Sequence, residues 1–315
     1  MRDACEGRAF AGYRTEGFAG WLCMLRAFDR ADLRTASIAL VIGGMMWGLY
    51  WIPVRYFVSQ GLSGAWPGIV MYSSAILVLL PFLWRERRSL QRAWRSLIFS
   101  GMFTGAAFSL FTISLVYTDV VRAILLFYLT PVWGTILGMV VLGERPGPLR
   151  LLGLVCGLGG MFIILGGEQG LPWPRNTGDW LALISGMTWA FGTLGLYRAS
   201  GISVRGQVFA FILGALILSL CSLPFGAGLE RALGEAVLQV GPVALLSALY
   251  TLPMIFLTIW PATLLTPARV GLLLMSEVVV GLISAALFSG EPFGLRELIG
   301  ATLIVSAALL EVVRS

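Results

Sequence analysis

Apolar residues run through this chain in long blocks, broken by short polar or Gly- and Pro-containing turns, and they do not alternate as in a half-buried strand. Blocks of about 20 residues match an α-helix crossing a bilayer's hydrocarbon layer. Ten are predicted, over roughly residues 36–58, 66–84, 96–117, 119–142, 148–166, 178–197, 206–225, 239–260, 264–288 and 294–313. The third and fourth nearly fuse at Thr118-Asp119, and the eighth and ninth are separated only by Pro261 and Pro267. Residues 1–35 have no sustained apolar period and are expected to form a cytoplasmic tail without a fixed fold. That tail lacks the apolar core and small-residue cleavage site of a secretory signal, and Met24 is a candidate start of translation.

The stretch Arg122 to Gly153, RAILLFYLTPVWGTILGMVVLGERPGPLRLLG, returns as Arg269 to Gly300, RVGLLLMSEVVVGLISAALFSGEPFGLRELIG, at a constant offset of 147 with no gap. Arg122/Arg269, Gly134/Gly281, Gly143/Gly290, Glu144/Glu291 and Gly153/Gly300 are among the identical positions. Gly44-Met45-Met46-Trp47 recurs more faintly as Gly186-Met187-Thr188-Trp189. The predicted fold is therefore an all-α integral membrane protein, with ten transmembrane helices in two five-helix repeats. The repeats cover residues 36–166 and 178–313, joined by a linker at 167–177. Five spans per copy means that the second copy enters the membrane from the opposite side, giving inverted repeats around a central site.

Composition agrees with that reading. The chain is 58% hydrophobic and 12% charged, where soluble domains are about a quarter charged. Its 22 basic residues are all Arg, and there is no His. That removes imidazole bases, His metal ligands and His proton relays. Cys5, Cys23, Cys156 and Cys221 form no CxxC pair and read as apolar filler. No cofactor or metal site is expected.

The net charge of +6 is concentrated in the tail and in Arg85 to Arg95, beside hydrophobic spans, so it points to anionic lipid and membrane topology, not to nucleic acid. With the N-terminus inside, 17 Arg fall on the cytoplasmic side. Only Arg55, Arg122, Arg175, Arg231 and Arg296 fall outside. Both termini are thus expected in the cytoplasm of a bacterial-type inner (plasma) membrane.

The segments MMWGLYWIPVRY, LTPVWGTILGMVVLGERPGPLRLLGLVCGLGGMFIILG and FSGEPFGLRELIGATLIVSAALL resemble, in that order and duplicated, EamA-type transporters of the drug/metabolite transporter superfamily. The resemblance covers residues 36–313. It implies two inverted five-helix repeats around a central cavity and movement of small metabolites, often amino acids and often outward. One departure concerns the ninth helix: Glu277 is followed by Val278, where such proteins commonly carry Pro, while the first copy keeps Thr130-Pro131. A kink in both copies is not expected on that basis.

Several residues could carry function. Glu277 lies in the middle of an apolar run, and a carboxylate there is expensive unless it is paired, protonated or beside water. It reads as a proton-coupling site or a partner for a substrate amine; the plain alternative is a neutral carboxyl bonded to a neighbour. Trp47, Trp51, Tyr128, Trp133 and Trp189 fall inside spans and could line a cavity by stacking and cation–π attraction, or simply pack helices. Arg122 and Arg269 open equivalent helices as gates or as snorkelling interfacial groups, with Asp119 the expected partner of Arg122. Glu144 and Glu291 read as helix caps.

No Walker-type loop or catalytic cluster is visible, so an enzyme is not expected. The expected function is a secondary transporter exporting amino acids or related amphipathic solutes by alternating access, with proton coupling at Glu277. A membrane enzyme acting on lipid headgroups and a non-transporting partner subunit are the alternatives. Its partners are then a small-molecule solute and the lipid bilayer, with no nucleic acid. The sequence leaves self-association into a homodimer open.

Overall fold

A computed structural model describes residues 18–92, 94–143, 145–165, 174–198, 203–225, 233–288, 290 and 294–313. Among these there is no strand, and the helices are α1 (Phe18–Trp47), α2 (Trp51–Ser59), α3 (Trp66–Arg92), α4 (Trp94–Tyr117), α5 (Val120–Phe127), α6 (Thr130–Leu142), α7 (Pro148–Leu165), α8 (Thr177–Arg198), α9 (Val204–Ser222), α10 (Leu233–Ala262), α11 (Pro267–Leu274), α12 (Ser276–Phe288) and α13 (Leu295–Val313). The first helix begins inside the stretch read as a tail. The two doubtful boundaries resolve as turns, at Thr118-Asp119 and after Ala262.

Among the described residues, six stretches are long and apolar enough to cross a membrane: Leu33–Ser59, Trp94–Tyr117, Arg122–Leu142, Val204–Ser222, Val240–Ala262 and Arg269–Phe288. Three of the six are interrupted within their length, where α1 gives way to α2, α5 to α6 and α11 to α12. The last two interruptions obey the sequence offset of 147: α5 starts at Val120 and ends at Phe127, and α11 starts at Pro267 and ends at Leu274. Gly143 and Gly290, one offset apart, sit at φ 67° and 70° in the left-handed region. Gly143 is the C-cap of α6, a position where a Cβ is strained and glycine is favoured. Glu144 and Glu291, which follow these two glycines, lie outside the described residues.

The breaks have local causes. Pro131 has no N–H to give to the Phe127 carbonyl, four residues back. Thr130 Oγ1 fills the gap, donating to Phe127 O at 2.6 Å. The second copy breaks without a proline, contrary to the sequence expectation. There the Val278 N–H turns to Met275 O at 3.0 Å, leaving the Leu274 carbonyl free for the Tyr128 hydroxyl, 2.6 Å away. Irregular backbone at membrane depth is tolerated when protein groups satisfy it in this way.

Around these breaks α4 packs between α8 and α9, α7 lies against α13, and α10 lies against α1 and α3. Inside lipid, hydrophobicity alone cannot hold helices together, and buried hydroxyl contacts add to close packing. Ser109 on α4 meets Ser219 on α9 at 2.7 Å. Ser185 on α8 donates to Ala107 O on α4 at 2.8 Å.

Candidate functional site

Where the interrupted helices meet, the chain leaves a small internal cavity. Its walls are largely aromatic, including Trp47, Phe108, Phe111, Trp189 and Phe211, with Glu277 as the one ionisable residue among the described lining residues. The centre of a water-sized sphere can move through about 20 Å³ of it, which is room for a water or two. The structure is thus a closed form of the site.

Glu277 is 2% exposed and stands in the first turn of α12, just past the break. Tyr128, at the corresponding break of the first copy, donates to its Oε2 at 2.5 Å. Its Oε1 is buried with no hydrogen-bond partner. A buried carboxylate oxygen left in that state is costly, and an occupant of the cavity able to donate a hydrogen bond would relieve it.

The repeated Gly-Met-x-Trp segments explain how the two tryptophans reach the cavity. A Cβ on Gly44 would run into Ser276 Oγ, and one on Gly48 would lie 2.7 Å from the Glu277 carbonyl. These glycines let α1 press directly on the break beside Glu277, bringing Trp47 to the cavity wall. A Cβ on Gly186 would likewise run into Phe127 O at the other break, and three residues on stands Trp189. The two indoles differ in one respect. Trp47 Nε1 donates to Thr258 Oγ1 at 2.9 Å, whereas Trp189 Nε1 is buried without a partner.

Aromatic packing fixes the walls. The Phe108 ring is the hub, with centroids 4.9 Å from Trp47, 5.1 Å from Tyr50, 4.7 Å from Tyr72 and 5.1 Å from Phe211. Behind it the Thr112 hydroxyl lies 2.5 Å from Tyr72 Oη and 3.2 Å from Tyr50 Oη, and donates to Phe108 O at 2.8 Å.

The other expected site residues do not line this cavity. Trp51 is buried and donates to Ser284 Oγ at 3.0 Å, a helix-packing role. Trp133 carries a buried Nε1 without a partner, away from the cavity. Arg122 does not pair with Asp119, which is exposed in the turn before α5. Its Nη2 meets Asp179 Oδ2 at 2.5 Å and its Nε approaches both carboxylate oxygens. Asp179 is fully buried in the first turn of α8, also taking Thr118 Oγ1 at 2.6 Å and the Arg175 N–H at 3.0 Å. Arg55 ties in through Thr118 O at 2.9 Å. Arg269 donates to Ser37 Oγ at 2.9 Å.

Sequence reasoning missed Asp179 and the phenylalanine walls. An acidic residue in the first turn of a span is the ordinary choice for the helix dipole, and Phe in an apolar helix carries no distinguishing signal. Asn176, whose Oδ1 accepts the Asp179 N–H at 2.8 Å, marks the helix start and was the available hint.

Residues 34–166 match the EamA-like transporter family. An uncharacterized transporter of Bacillus subtilis (strain 168), YoaV, is 23% identical over 154 residues, covering 48% of this chain and 53% of that protein. The chain thus matches about half the length of this curated relative. A solved crystal structure at 18% identity has a TM-score of 0.62, covering 86% of this chain and 96% of the other, and shows the fold alone.

Proposed function

We propose, because residues 34–166 match the EamA-like transporter family and about half of the chain aligns with a transporter relative, that the chain is an EamA-type member of the drug/metabolite transporter superfamily and a secondary transporter of the inner membrane. In this reading it exports a small amphipathic solute, an amino acid or a related compound, by alternating access through ten spans in two inverted repeats. The observation that carries it is Glu277, a half-bonded carboxylate in the wall of a closed aromatic cavity between two helix breaks.

The placement of the two equivalent arginines supports inversion. Arg269 bonds to Ser37 in α1, whereas Arg122 belongs to the cluster that also holds Arg55 in the middle of α2. Eighteen residues of a span interrupted once, between Trp47 and Trp51, separate those two anchors, about 27 Å at the helical rise of about 1.5 Å per residue. The helices that Arg122 and Arg269 open would then start toward opposite ends of one span, the arrangement inverted repeats give. The Arg-counting argument puts the Arg122 end outside and both termini in the cytoplasm.

A cavity with room for a water or two does not admit a solute of amino-acid size, so the walls must part during transport. At one end the bidentate Arg122–Asp179 pair ties α5 to α8, and opening there has to break it. Glu277 is the proton-coupling group in this scheme, since a carboxyl facing the cavity can exchange a proton for a solute amine. The test is flux in liposomes holding only this protein. The wild type is expected to move solute with a pH-dependent rate, and Glu277→Gln to lose that dependence. Unchanged pH dependence in the variant removes proton coupling, and no flux of any amino acid or amine removes the transporter reading.

A further inference from the structure

The cavity wall offers the solute an unequal set of partners. Among the described lining residues, the acceptor without a partner is a carboxylate oxygen, Glu277 Oε1, which is buried. The donor without a partner is the neutral, buried indole N–H of Trp189, since the Trp47 N–H is already taken by Thr258. No cationic side chain lines the cavity among the described residues. Arg122 is engaged by Asp179 and Arg269 reaches Ser37, both away from the cavity.

A zwitterionic amino acid entering this space could place its ammonium at Glu277, but its carboxylate would be buried opposite nothing stronger than one indole N–H. Burying a charge without a counter-charge is far more costly than burying a neutral polar group. An ammonium, by contrast, finds a carboxylate and the faces of Trp47 and Trp189 together, and both contacts favour positive charge. Resting on the transporter reading above, we infer that this site selects solutes with one positive amine, an aromatic or apolar body and no free carboxylate: arylalkyl amines in preference to their parent amino acids.

A matched series isolates the carboxylate. Phenethylamine, phenylalanine and 3-phenylpropionate share a ring and differ only in the charged groups they carry. Their binding to the purified full-length protein is measured by titration calorimetry, and flux of the first two in liposomes is followed in parallel. Phenethylamine is expected to bind at least about tenfold more tightly than phenylalanine, with 3-phenylpropionate weakest, since an uncompensated buried charge exceeds the free energy of one decade in affinity. Glu277→Gln is expected to erase the preference for the amine; the wild-type ranking stands as a test even if that variant does not fold. Phenylalanine binding as tightly as phenethylamine, or none of the three binding, overturns the inference. If phenylalanine is nonetheless transported, the transporter reading survives that loss. Absence of flux for both solutes overturns the inference, and absence of flux for every other amino acid and amine as well overturns the transporter reading with it.

Discussion

Tyr128 Oη lies 2.5 Å from Glu277 Oε2 and 2.6 Å from the Leu274 carbonyl, so one phenol serves both the lone carboxylate of the cavity and the broken helix that carries it. Tyr128→Phe keeps the ring and removes the single O–H that lies between these two buried acceptors. The variant is expected to lose about 1–3 kcal/mol of stability, read as a lowered thermal transition in detergent.

The Arg122–Asp179 pair predicts a characteristic mutational cycle. Asp179 is fully buried, so Arg122→Met leaves an uncompensated charge and is expected to destabilise by about 3–5 kcal/mol. Asp179→Leu should be damaging for the same reason. The double variant is expected to be more stable than either single one, a coupling that thermal denaturation of all four proteins measures.

Glycines at the breaks separate space from backbone strain. Gly48→Ala puts a methyl group against the Glu277 carbonyl and Gly281 N, and overpacking of this kind costs about 1–3 kcal/mol. Folded yield and flux should fall together, because α1 is displaced from the cavity. Gly143→Ala and Gly290→Ala meet nothing within 4 Å but sit in the left-handed region. Each should cost about 1 kcal/mol from backbone strain, with transport intact, as stability and flux measured side by side will show.

The duplication was legible in the sequence because an unbroken offset of 147 applies to helix ends and capping glycines as well as to residue identities; α5 and α11 begin and end one offset apart. Glu277 stood out because carboxylates inside apolar runs are rare. The break in the second copy did not, since the Leu274 carbonyl it frees is taken up by a side chain from the other half of the chain, and no local proline announces it. Asp179 was hidden by a position that has an ordinary explanation in the helix dipole. The cavity walls depend on Phe108, Phe127 and Phe211 converging from α4, α5 and α9, and such meetings leave no trace in a local pattern.

The interruption between α5 and α6 is covered by Gly186 of the later repeat, that between α1 and α2 lies against α12, and that between α11 and α12 is closed by Tyr128 and Gly44 of the earlier one. Each half therefore shields backbone of its neighbour that its own side chains, such as Thr130 at the Phe127 carbonyl, cover only in part. A gene cut between residues 166 and 174 should give two fragments that are degraded when made alone and that persist, as a complex, when made in the same cell.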